Sequence, residues 1–261
     1  MSDHHVLVGS TMLRLTPEGT GEVETELLHG ESLTVTGQAG NWLSASVMFG
    51  QWRYTGYVET KDVGTIAFNP THRVAVQRTP VLAAPALKAV AIDHLSRGSL
   101  VQVVEAGRFH VKTFPSGWIF TEHLVPIATK EADYVATIET LVGVPFVWGG
   151  RSTFGMDCSG MLEFGLRLAE ISCARRMIHL STSLGEALPE NEKPERGDFL
   201  FYSEHCGMFI SENEVINCNG KVGCVQIERF DELHHRMTRE RNFIFQCIRR
   251  LPRRRPVLEP V

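Results

Sequence analysis

Trp148-Gly-Gly-Arg-Ser-Thr-Phe-Gly-Met-Asp-Cys158-Ser-Gly160 is a glycine-rich loop that runs into an apolar-periodic stretch, Cys158 to Glu170, carrying Met161, Leu162, Leu168 and Ala169. That spacing predicts a helix with a cysteine in its first turn. There the unpaired backbone N–H groups and the positive end of the helix dipole face the side chain. Both favour a thiolate and lower the cysteine's pKa. The same N–H groups suit an oxyanion that develops during acyl transfer. A buried structural cysteine at a helix start is the competing reading, so the loop needs partners elsewhere in the chain.

A thiolate nucleophile needs a base, and the base needs an orienting group. His205 follows Gly197-Asp-Phe-Leu-Phe-Tyr202, and Asn217 lies twelve residues on, across a hairpin. Neighbouring antiparallel strands bring such side chains together. Cys158, His205 and Asn217 are the residue types of a papain-like triad: His205 takes the thiol proton, and Asn217 fixes the imidazole tautomer. Asn219, two residues on, shares the same strand face and is second choice.

Around this core the chain reads as helices, then an antiparallel meander, an α+β arrangement. Tyr134, Val135, Ile138, Leu141 and Val142 recur at helical spacing until Gly143 and Pro145. A loop-rich stretch extends to Pro194, and alternating strands are expected over 199–202, 205–210, 215–217, 222–227 and 243–248. The first half is different: short β-rich runs broken by Gly, Asn and Pro. It also repeats. Leu27-Leu-His-Gly-Glu-Ser-Leu-Thr-Val35 matches Leu95-Ser-Arg-Gly-Ser-Leu-Val-Gln-Val103, and each copy closes on a glycine-aromatic strand, Gly56-Tyr57 and Gly117-Trp118. Two repeats of this kind predict two small β-barrels. The expected division is 1–68, 69–127 and 128–261.

The 261 residues carry 26 Lys plus Arg against 30 Asp plus Glu, a net charge of −4. That balance argues against a nucleic-acid partner. No apolar run reaches the roughly 18 residues of a membrane helix. The start, Met1-Ser-Asp-His-His, shows no basic-then-apolar leader, so a cytoplasmic location is expected. The six cysteines lack a Cys-x-x-Cys pair, and reduced thiols are expected. Cys206 and Cys218 are read as core-facing, because adjacent strand residues point to opposite faces. The His4-His5 and His234-His235 pairs lack ligand companions, so no metal site is expected. Arg249, Arg250, Arg253, Arg254 and Arg255 read as a solvated tail.

Four stretches together resemble the NlpC family of cell-wall cysteine peptidases: Gly143-Val-Pro-Phe-Val-Trp-Gly-Gly150, Asp157-Cys-Ser-Gly160, Arg196-Gly-Asp-Phe-Leu-Phe201 and His205-Cys-Gly-Met208. The order of pieces in the first half resembles bacterial SH3-like domains. The combination resembles bacterial γ-D-glutamyl-L-diamino acid endopeptidases of the peptide-recycling type. The resemblance implies a papain-like domain behind two SH3-like β-barrels, with Cys158 as nucleophile and His205 as base. It implies a murein stem peptide as substrate, with a free N-terminal L-Ala, and no cofactor. It implies that Asp157 and Ser159 meet the substrate's ammonium, that Trp148 walls the pocket, and that Glu26 and Tyr54 of the first barrel reach the same ammonium. Asp157 also reads as a helix N-cap. Two departures stand out: the family's third catalytic residue is often histidine, and its common tyrosine is here Phe146. Another thiol amidase or acyltransferase, and a non-catalytic wall-peptide binder, are the competing functions.

Overall fold

The computed structural model describes residues 2–252. Its first sheet has seven strands. In spatial order they are Val23–Leu28, Ser10–Arg14, Trp52–Glu59, Trp42–Phe49, Ser32–Ala39, Ser2–Val6 and Val63–Gly64. The second sheet repeats that order strand for strand: Ala91–Ser96, Arg78–Leu82, Gly117–Phe120, His110–Phe114, Leu100–Glu105, His72–Val74 and Leu124–Pro126. The two repeated sequence segments therefore occupy equivalent strands. Each sheet encloses its own small core, with Leu13, Leu27, Leu43 and Val58 in the first and Val74, Val81, Leu95 and Ile119 in the second.

The rest of the chain is built on a six-stranded antiparallel sheet. Its order is Glu186–Ala187, Phe245–Arg250, Phe199–Tyr202, Cys206–Phe209, Glu214–Asn219 and Cys224–Arg229. Helices α1 (Tyr134–Glu139) and α2 (Cys158–Leu168) pack against one face. Phe199, Phe201, Cys206 and Met208 point into that larger core with Met161, Leu162 and Phe164.

Three expectations are corrected here. The strands Phe199–Tyr202 and Cys206–Phe209 do not alternate between core and solvent; every residue in them is buried. The cause is a helix that the periodicity did not reveal, Phe230–His235. With the turn after it, this helix covers the second face, where Leu200, Tyr202, Phe209, Leu233 and Met237 form a separate core. The stretch read as loop also contains a helix, α3 (Met177–Ser183). Its His179 stacks on Trp52 at 3.9 Å between ring centroids. Finally, Arg249 and Arg250 are not a solvated tail. Arg250 pairs with the buried Asp198 at 2.7 Å, and Arg249 donates to the carbonyls of Leu184 and Gly185. Arg253, Arg254 and Arg255 lie outside the described residues.

Candidate active site

Cys158 opens α2, and Asp157 is its N-cap, accepting from the Gly160 N–H at 2.6 Å. The loop before the helix is drawn tightly against the first sheet. Gly149 has φ +76°, and a Cβ there would meet Val23 Cγ1 at 2.4 Å, so only glycine fits. Backbone bonding continues between them: Glu26 N–H donates to the Gly149 carbonyl at 2.8 Å. α2 is equally close to the loop, because a Cβ on Gly160 would meet the Gly150 carbonyl at 2.2 Å.

His205 and Asn217 are buried beside Cys158. Asn217 Oδ1 accepts from His205 Nε2 at 3.1 Å, which leaves Nδ1 for the cysteine. Asn217 Nδ2 donates to Glu228 Oε1 at 2.7 Å, and this second bond fixes the orientation of the amide. Glu228 in turn takes the Arg236 guanidinium on both oxygens, at 2.5 and 2.7 Å. A chain thus runs Cys158, His205, Asn217, Glu228, Arg236. The negative charge missing from Asn217 is supplied one residue further back, by Glu228.

The Cys158 thiol is held well below its ordinary range. The first cause is a hydrogen bond from the Cys206 thiol; burial opposes it, and the His205 side chain adds to it. Cys206 is correspondingly pushed up by burial and by its bond to Cys158. Cys206 is therefore buried, as read from the sequence, and its thiol also bears on that of Cys158. Cys218 is buried too, its thiol donating to the Met156 carbonyl at 3.1 Å.

The other sequence-derived site residues fall into two groups. Asp157, Ser159 and Trp148 border a cavity of about 300 Å³ on one side of Cys158. Trp148 is 66% exposed and also borders a second cavity, of about 120 Å³, on the His205 side. Glu26 and Tyr54 border neither. Glu26 is buried and accepts from the Arg151 N–H at 2.8 Å. The Tyr54 hydroxyl accepts from the N–H groups of Arg175 and Arg176 and bonds His179 Nδ1. Both join the first sheet to the rest of the chain. The carboxylate that does reach the larger cavity from this sheet is Glu24, two residues before Glu26, with Glu22 nearby.

Sequence reasoning missed Arg175. It is buried, and its guanidinium takes both oxygens of Asp157, at 3.0 and 2.8 Å. It also donates to Ser159 Oγ, Thr25 Oγ1 and the Gly150 carbonyl. Asp157 and Ser159 are therefore already engaged by a cation from the chain itself. The only available signal was a pair of arginines, Arg175-Arg176, in a stretch read as loop.

Residues 143–243 match the model of the NlpC/P60 family. The chain is 22% identical over 246 residues to dipeptidyl-peptidase 6 of Lysinibacillus sphaericus, covering 84% of this chain and 88% of the relative. It is 24% identical over 220 residues to γ-D-glutamyl-L-lysine dipeptidyl-peptidase of Bacillus subtilis, covering 75% and 72%. Its fold is similar to the crystal structure of an NlpC/P60 family protein from Bacillus cereus, with a TM-score of 0.79 at 19% identity, covering 96% of this chain and all of that one. The span that matches the NlpC/P60 family, 143–243, contains Cys158, His205 and Asn217.

Proposed function

We propose that this protein is a thiol endopeptidase that cuts the γ-D-glutamyl-L-diamino acid bond of short murein peptides bearing a free N-terminal L-Ala. The observation that carries this reading is the position of Glu22, Val23 and Glu24. These residues of the first half wall the cavity on the acyl side of Cys158. A cavity of about 300 Å³, closed in this way, suits a short acyl group with a charged end rather than a continuous polymer. Its carboxylates favour an ammonium. Arg175 is neutralised by Asp157, and Arg176 lies 3.8 Å from Glu24, which leaves Glu22 and Glu204 in excess. The relatives' names, with their dipeptidyl and γ-D-glutamyl-L-lysine parts, agree with this substrate. We read the two repeated sheets as SH3-like barrels that serve as pocket walls and as a frame.

The reaction needs no group beyond the chain's own. The Cys158 thiolate attacks the γ-carbonyl carbon, and the new oxyanion lies against the unpaired N–H groups at the start of α2. His205 protonates the leaving amine as the C–N bond breaks, giving a thioester. Water, deprotonated by His205, attacks the thioester; the dipeptide acid leaves and the thiolate returns. Asn217 holds the imidazole tautomer throughout.

The test is incubation with L-Ala-γ-D-Glu-meso-diaminopimelate and its N-acetylated copy, with mass-spectrometric detection of L-Ala-γ-D-Glu. Cleavage of the free-amine peptide alone, abolished by Cys158→Ala, is the expected result. Cleavage of both peptides removes the ammonium requirement. Cleavage of neither overturns the peptidase reading.

A further inference from the structure

The two cavities beside Cys158 differ in charge, and the difference bears on the half of the substrate that leaves. His205 must hand its proton to the leaving amine, so the leaving residue lies where His205 is exposed to it. His205 borders the smaller cavity and not the larger one. The leaving residue therefore occupies the smaller cavity, whose polar lining includes Asn219, Lys221, Arg236 and Arg241.

These groups are almost all donors. The Arg241 guanidinium lies 5.3 Å from the centre of the Phe243 ring and has no carboxylate partner among the described residues. Lys221 Nζ comes no closer than 4.0 Å to Glu240. Asn219 is buried, and its Oδ1 accepts from the Lys221 N–H at 2.9 Å. Its Nδ2 has no partner among the described residues. Arg236 is committed to Glu228, yet its Nε is likewise unpartnered. The one acidic residue on this lining is Glu204, which also borders the other cavity.

We infer that the smaller cavity binds a carboxylate of the leaving amino acid, with Arg241 as the principal recognition residue and Lys221 and Asn219 assisting. The inference rests on the peptidase reading above and deepens it. The substrate is then a peptide with opposite charges at its two ends, an ammonium on the acyl side and a free carboxylate on the leaving residue. A free α-carboxylate is within reach, because it sits on the carbon that bears the departing amine. Guanidinium and carboxylate match as a charge-assisted, two-bond pair. An extended, crosslinked strand, or a peptide with its carboxylate amidated, lacks that group.

The experiment compares two peptides that differ only here: L-Ala-γ-D-Glu-L-Lys as the free acid and as its C-terminal carboxamide. The wild-type chain is expected to cleave the acid with a kcat/KM about tenfold higher, and the advantage falls with added salt because the pair is near the surface. Arg241→Met is expected to bring the ratio close to one, chiefly by raising KM for the acid, and Arg241→Lys to restore part of it. Arg241 is exposed, and an unchanged Tm checks that its replacement leaves folding intact. Equal cleavage of acid and carboxamide by the wild type overturns the inference and leaves the peptidase reading standing. So does a preference that persists undiminished in Arg241→Met. Cleavage of neither peptide overturns the inference, and it overturns the peptidase reading as well when the meso-diaminopimelate peptide is also left intact.

Discussion

Asn217 Oδ1 accepts from His205 Nε2 at 3.1 Å, while the same amide donates to Glu228 at 2.7 Å. A neutral amide bonded to the imidazole is thus backed by a carboxylate that has no hydrogen bond to the ring among the described residues. Asn217→Ala is expected to lower kcat on the order of 100-fold. Glu228→Gln keeps the shape and removes the charge, and is expected to lower kcat by about tenfold with little change in KM. A rise in KM at constant kcat for Glu228→Gln would show that it acts only by placing Arg236 at the smaller cavity.

The Cys206 side chain is the first cause of the lowered Cys158 pKa. The thiolate is therefore present well below the ordinary thiol range. Cys206→Ala removes that thiol, so the midpoint of Cys158 alkylation by iodoacetamide is expected to move to higher pH. The wild-type rate should stay high as pH falls towards neutrality, where the variant's declines. An unchanged midpoint would assign the lowering to His205 and the helix start instead.

Arg175 and Asp157 form a buried pair with bonds to both carboxylate oxygens. Arg175→Met leaves an uncompensated carboxylate beside Cys158 and is expected to cost about 3–5 kcal/mol in urea denaturation. The double variant Arg175→Met/Asp157→Asn is expected to recover part of that loss, since the two residues are coupled. Additive losses would show that Arg175 acts through Thr25 and Gly150 instead.

Glu163 sits inside α2 and is buried with Arg151, whose guanidinium also binds Glu31, in the turn just before the strand Ser32–Ala39. Burial alone would raise the Glu163 carboxyl; Arg151 and Arg167 outweigh it and lower the pKa. A folded pKa below the unfolded one stabilises the protein above the ordinary carboxyl value near 4.5, and that stability is lost as pH falls through the folded value. Acid unfolding followed by tryptophan fluorescence is expected to shift to higher pH in Arg151→Met, where Glu163 loses its principal partner. A variant with an unmoved acid limb would place the sensitive carboxylates elsewhere.

Much of this organisation was legible in the sequence. The strand-forming repeats, the helix that begins at Cys158 and the meander after Asp198 follow from local periodicity, because a helix or a strand buries side chains at a fixed interval. His205 and Asn217 could be paired because a short hairpin leaves few ways to align two strands. What escaped was set by contacts distant in sequence. The doubly buried strands Phe199–Tyr202 and Cys206–Phe209 depend on a helix some thirty residues away. Arg249 and Arg250 looked like solvated charge until Asp198 and the carbonyls near Leu184 accounted for them.

The sequence by itself determined most of the strands, the helix that begins at Cys158, and which three residue types could make a nucleophile, a base and its orienting group. Only the tertiary structure decided what surrounds them. It put Glu228 behind Asn217, laid Arg175 on Asp157, turned Glu26 onto the Arg151 backbone and left Glu24 at the cavity. It also set acidic groups on one side of Cys158 and basic groups on the other. Periodicity reports the face of its own element. Charge pairing across sheets and helices leaves no fixed spacing in the chain, so its partners are chosen by packing.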